Sequence, residues 1–187
     1  IHERLVGSAM CIRDRLTPKS IGEVQHLEML CEDFKPEGEI FDNFLMNTVI
    51  PYVENNFPVC TDRQNVAVCR SSSGGLMSFF SAFEHPEKFG YAGVFSPAFL
   101  CYTREDWEKY LSTKIVENMP YLYIYTGNGD ELEEMIFEST EMLYELLEES
   151  FYPYDRINEV ILFENAHNEK SWREIFPDFL HTFLSRL

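Results

Sequence analysis

Four short apolar runs divide the chain: NVAVC at 65–69, YAGVFS at 91–96, YLYIYT at 121–126 and EVILFE at 159–164. Between and around them lie stretches with helical spacing. GEIFDNFLMNTVIPYVENN (38–56) comes first, with Ile40, Phe41, Phe44, Leu45, Val49 and Val53 on one face and Pro51 expected to kink it. GLMSFFSAFEHPEKFG follows the first run and stops before Pro86. TREDWEKYLS (103–112) opens with a Thr N-cap and acidic residues in its first turn. EEMIFESTEMLYELLEE and SWREIFPDFLHTFLSRL complete the series. Short apolar strands that alternate with helices require a parallel sheet buried on both faces, because a parallel connection must cross back over the sheet. The expected fold class is therefore α/β, with about four parallel strands flanked by helices. Functional groups in such folds sit at the carboxyl ends of the strands.

Three residue sets occupy those ends: Ser71, Ser72 and Ser73 after the first run, Asp130 and Glu131 after the third, and His167 after the fourth. The order serine, carboxylate, histidine suits nucleophilic catalysis. Histidine takes the proton of a weakly nucleophilic hydroxyl, and the carboxylate fixes the imidazole tautomer and stabilises its cation. His26 and His85 precede the acidic turn and His181 lies within the last helix, which leaves His167 as the base. In GNGDELE, Asp130 is shorter and nearer the strand than Glu131 and is preferred as the acid. Glu133 and Glu134 are expected to open the next helix, where negative charge favours the dipole. Spacing leaves two nucleophiles open. Ser72 gives a G-x-S-x-G turn whose first glycine is replaced by Arg70; Ser73 has small residues on both sides.

The bulk properties narrow the partners. The chain has 187 residues and a net charge of −17, from 32 acidic and 15 basic side chains. That charge disfavours nucleic acid and anionic membrane surfaces. The five cysteines, Cys11, Cys31, Cys60, Cys69 and Cys101, show no C-x-x-C spacing. They read as reduced thiols rather than a disulfide frame or zinc site, which points to the cytoplasm. No stretch is long and apolar enough for a membrane span. No metal or organic cofactor is implied.

Residues 1–15 stand apart. Leu5–Arg15, LVGSAMCIRDR, has no strand or helix period. It matches, apart from Ala9, one reading frame of the adapter used in transposase-based sequencing libraries. It is set aside as a non-native segment, leaving 16–187 as a partial domain.

From Gly38 onward the chain resembles the "Putative esterase" family of α/β-hydrolases, which includes esterase D, feruloyl and enterochelin-type esterases. The resemblance rests on Arg70-Ser71-Ser72-Ser73-Gly74-Gly75-Leu76, on HPEKFGYAGVFSPAF, and on His167-Asn168-Glu169 with Trp172. It implies Ser72 as nucleophile, His167 as base, Asp130 as acid and the Ser73 amide as oxyanion donor. It further implies Phe95, Phe99 and Trp172 in the substrate pocket and a small-molecule or carbohydrate ester as substrate. The alternative is an impaired or non-catalytic protein on the same fold that binds a carbohydrate or peptide. Two departures carry expectations. Arg70 in place of glycine should strain the turn. The first half of the sheet, with the second oxyanion donor, should precede residue 16, which would leave the nucleophile strand at an open edge.

Overall fold

The computed structural model describes residues 17–26, 36–114 and 118–186. Leu5–Arg15, Cys11 and Cys31 lie outside these residues. The four apolar runs form strands β1 (Ala67–Ser71), β2 (Tyr91–Phe95), β3 (Tyr121–Thr126) and β4 (Ile157–Ile161). They pair in the order β1-β2-β3-β4, all parallel. The helices are α1 (Gly38–Phe44), α2 (Ile50–Asn56), α3 (Ser73–Glu84), α4 (Arg104–Lys114), α5 (Glu131–Glu149) and α6 (Glu169–Leu184).

Consecutive strand order fixes the layering. Crossovers of one hand between successive neighbours lie on one face. Accordingly Phe79 and Phe83 of α3, Trp107 and Leu111 of α4, and Leu143 and Leu147 of α5 share one core with Ala92, Val94, Leu122 and Ile124. The opposite face is covered by α6, whose Trp172, Ile175 and Phe179 pack on Phe95, Tyr121, Tyr123 and Tyr125. The period-two alternation of the strands decides which side chain enters which core. Thr103 and Asp106 cap α4 reciprocally: each backbone amide donates to the other's side chain, both at 3.2 Å.

The kink expected at Pro51 is a π-helical turn, Leu45–Val49, between α1 and α2. A proline ring collides with the carbonyl four residues back in a regular α-helix, and the wider turn ends just before it. This segment packs Phe41, Leu45 and Ile50 against the core that α3 lines and adds one buried carboxylate. Asp42 accepts from Ser81 Oγ at 2.6 Å and faces His85 Nε2 at 2.6 Å. That hydrogen bond, more than any other influence, raises the His85 pKa.

Arg70 does not carry the expected backbone strain. It lies in ordinary strand conformation, and the left-handed backbone falls on Ser72. Room for its side chain comes from Gly74: a Cβ there would stand 2.9 Å from both Arg70 Cβ and Nε. The guanidinium lies 4.7 Å above the Phe41 ring of α1. β1 pairs only with β2 among the described residues and is an edge of the sheet, as expected. An apolar cavity of about 510 Å³ runs beside it, lined by Val53 of α2 and Phe179 and Leu180 of α6.

β4 begins two residues earlier than the apolar run suggested, because the 3-10 turn Tyr154–Arg156 delivers Ile157 opposite Leu122. This places Glu159 against Glu141, Tyr144 and Glu148 of α5. Its Oε1 is buried without a hydrogen-bond partner. Burial first, then Glu141, pushes the Glu159 carboxyl up to about 7.

Two predictions follow from this packing. Glu159 is raised from its ordinary 4.5, so the stability it contributes is complete below that value and lost as pH rises to about 7. His85 is also raised, and its contribution is complete below 6.5 and lost at higher pH. The melting temperature should therefore fall as pH rises. Glu159→Gln should flatten the lower part of the curve and His85→Gln the upper part; variant curves parallel to the parent would contradict this. Separately, Gly74→Ala should destabilise by about 1–3 kcal/mol through overpacking. Pairing it with Arg70→Gly should recover much of the loss, as a chemical-denaturation double-mutant cycle would read.

Candidate functional site

The site is assembled where four chain segments leave the carboxyl edge of the sheet. β1 ends at Ser71, and Ser72 turns the chain into α3 with φ 59° and ψ −131°. This sparsely populated conformation is held from three sides. Ser72 N–H donates to Phe95 O at 2.9 Å, and Ser72 O accepts from Leu76 N at 3.1 Å and Ala98 N at 3.2 Å. The sharp turn projects Oγ away from both elements. It also leaves the Ser73 amide at the first position of α3, where a helix has no internal acceptor for it.

His167 comes from the loop after β4, and glycines let that loop approach the one after β3. A Cβ on Gly127 would stand 2.2 Å from Asn165 O, and one on Gly129 the same distance from Glu164 O. The two loops are stitched by Gly129 N–H to Asn165 O (2.8 Å) and Glu164 N–H to Asn128 Oδ1 (3.0 Å). His167 Nε2 then lies 2.9 Å from Ser72 Oγ. Its ring meets Trp172 edge to face, with centroids 5.1 Å apart.

The carboxylate on the far side of the imidazole is Glu133, not Asp130 or Glu131. Glu133 Oε2 is 2.6 Å from His167 Nδ1 and is fully buried. Its Oε1 accepts from Ser96 Oγ (2.5 Å), Gly127 N (2.9 Å) and, more weakly, Thr126 Oγ1 (3.4 Å). A carboxylate accepts only, so Nδ1 donates to it and Nε2 is left to accept from the serine hydroxyl.

Asp130 has both oxygens engaged elsewhere. Oδ1 caps α5 by accepting from Glu133 N at 2.8 Å, and Oδ2 accepts from the backbone amide of His167, also at 2.8 Å. It is the N-cap of α5 and a clasp on the histidine loop. Glu131 begins α5 with its side chain exposed. Ser96, which sequence reasoning missed, links Glu133 to Trp172, whose Nε1 donates to Ser96 Oγ at 2.9 Å. A sequence signal for Glu133 did exist. Asp130-x-x-Glu133 has the spacing of a capping box, which commits the aspartate to the helix end.

The three aromatic residues divide. Phe95, Trp172 and Phe176 line a cavity of about 300 Å³ with Cys69, Ser71 and Arg173. Phe99 does not reach it. Its ring is fully buried against Phe79 and Trp107, with centroids 5.2 Å away in each case. No cluster of metal-ligating side chains occurs among the described residues. No described helix is long and apolar enough to cross a membrane.

Comparison with known proteins places this geometry in context. The profile of the "Putative esterase" family matches residues 30–183. The endo-1,4-beta-xylanase/feruloyl esterase of Xylanibacter ruminicola is 31% identical over 107 residues, 57% of this chain but 13% of that protein. Among solved structures, the enterochelin esterase of Shigella flexneri superposes with a TM-score of 0.65 at 19% identity, covering 76% of this chain and 36% of that one. A CE1 ferulic acid esterase from the anaerobic fungus Anaeromyces mucronatus gives a TM-score of 0.61 at 19% identity, covering 80% and 57%. The chain thus spans only part of the length of each of these relatives. With most of its length matched by the family profile, and with a parallel sheet flanked by helices like that of the solved esterases, the chain belongs to the "Putative esterase" family and has an α/β-hydrolase fold.

Proposed function

We propose that the chain carries the reacting groups of a serine hydrolase that cleaves carboxylic esters, with Ser72 as nucleophile, His167 as general base and acid, and Glu133 as the carboxylate that orients it. The observation that carries this reading is the unbroken relay from Ser72 Oγ through both nitrogens of His167 to the buried Glu133. In this reading His167 Nε2 takes the hydroxyl proton as Oγ attacks the ester carbonyl. The Ser73 amide, at the positive end of α3, donates to the oxyanion. His167 then returns the proton to the departing alcohol, leaving an acyl-enzyme. Water, activated by the same nitrogen, releases the acid.

The substrate we propose is an ester with a planar aromatic acyl or alcohol group. Phe95, Trp172 and Phe176 supply flat apolar walls beside the nucleophile strand. Relatives named for ferulic acid and enterochelin support the same class. The non-catalytic alternative is disfavoured because a binding protein has no use for a strained serine held at 2.9 Å from an oriented imidazole.

Initial rates of p-nitrophenyl acetate hydrolysis test the assignment, with folding of each variant checked by circular dichroism. Ser72→Ala should abolish turnover and labelling by a fluorophosphonate probe. Glu133→Gln should lower kcat by about 10⁴, the cost of losing the correct tautomer in a triad. Asp130→Asn should cost far less, and Ser73→Ala little, because Ser73 acts through its backbone. Greater loss from Asp130→Asn than from Glu133→Gln would return the acid role to Asp130.

A further inference from the structure

The amino edge of the sheet, opposite Ser72, gathers the starts of all four strands around a cavity of about 220 Å³. Arg63 lies in the 3-10 turn before β1, Tyr91 opens β2, Tyr121 opens β3, and Asp155 and Arg156 lie in the turn before β4. Arg186, just beyond α6, completes the lining. In a chain with a net charge of −17, three of the 15 basic residues converge here on one space.

Neutral groups hold these guanidinium groups in place. Arg63 Nε donates to Pro86 O at 2.6 Å and Nη2 to Asn118 O at 2.8 Å. Arg156 Nη1 donates to Met119 O. The Arg186 guanidinium lies 4.0 Å above the Tyr121 ring. Among the described residues none of the three forms an ion pair with a carboxylate. Elsewhere arginine does find one: Arg104 reaches Glu108, Glu145 and Glu149. Burial, and then the like charge of Arg156, lowers the Arg63 pKa, with Tyr152, Tyr91 and Glu87 opposing in part, so positive charge is crowded here.

Three arginines and one aspartate give the cavity a formal charge of +2. That matches the charge of a phosphate near neutral pH, about −1.5 to −2. Guanidinium forks suit its tetrahedral oxygens, and each arginine retains N–H donors not used by the backbone. We propose that this cavity binds a phosphate dianion, either inorganic or as the head of a phosphomonoester, at the end of the sheet remote from Ser72. Bound there, the anion would bridge the turn before β1, the turn before β4 and the end of α6.

Isothermal titration of the full chain with inorganic phosphate, at fixed ionic strength and about pH 7.5, should show saturable one-to-one binding. Arg156→Met and Arg186→Met keep the apolar stems and should each weaken it by roughly tenfold or more, about 1.4 kcal/mol. Arg186 is exposed and follows the last helix, so its variant should still unfold in one cooperative transition in chloride while losing the rise in melting temperature that phosphate gives. Glycerol phosphate binding as well as inorganic phosphate would identify a phosphomonoester as the occupant, and binding of inorganic phosphate alone would identify the free anion. Absence of saturable binding, binding unchanged in both variants, or tighter binding of succinate than of phosphate would each overturn the proposal.

Discussion

The site depends on one buried carboxylate. Glu133 is fully buried, and a charge so placed is tolerated only when its lone pairs are filled. Its donors are the Ser96 hydroxyl, the Gly127 amide, the Thr126 hydroxyl and the His167 ring. They come from the ends of β2, β3 and β4, so satisfying the carboxylate aligns three strand ends with one another. Removing a donor would leave an underbonded acceptor in an apolar interior, a cost of about 1–3 kcal/mol. The same requirement that keeps the fold in register therefore holds the imidazole against Ser72.

Residue types alone do not make such a site. A second serine, aspartate and histidine meet between α1 and α3, where Ser81 and His85 both address Asp42. There the aspartate sits between the other two, so the histidine never touches the serine. The hydroxyl is fully buried in a helix, whereas Ser72 occupies a half-buried turn ahead of one. The cluster docks one helix on another. In the Ser72 relay the histidine is central, which is the order that a proton path requires.

Most of the framework was legible in the sequence because it follows from periodicity. β3 fell on its apolar run, the other strands within a few residues, and His167, expected from chain order, lies beside Ser72, the serine that the resemblance rather than the spacing singles out. Asp130, expected beside the imidazole, is held elsewhere for a physical reason. Asp130 and Glu133 both lie just after β3, and the shorter side chain looked better placed. The helix N-terminus competes for that same side chain, and a cap needs an oxygen at the N-cap position, which only Asp130 can supply. Glu133, one turn further on, has the reach to turn back beneath the histidine. Phe99 could wall the pocket or fill the core as far as the sequence goes, and it does the second. Its position beside the site in sequence did not reveal that the short 3-10 turn Phe99–Cys101 points its ring into the core. Ser96 gave no signal at all, since its role exists only where the end of β2 meets α5 and α6.

Arg70 shows how a motif can lose a residue and keep its geometry. A glycine two positions before the nucleophile lets the tight turn pack against its neighbours, and a Cβ there is expected to strain it. The backbone there is ordinary strand, and the left-handed angle belongs to Ser72. What that position requires is space, and space can be supplied from the other side of the contact. Gly74, on the first turn of α3, leaves a gap that the Arg70 stem fills. The guanidinium then reaches over Phe41, so the side chain that crowds the turn also ties β1 to α1. The relay from Ser72 to Glu133 leaves from the end of β1 and bypasses this contact. The elbow therefore tolerates arginine because the small residue the turn needs is Gly74, on the helix side.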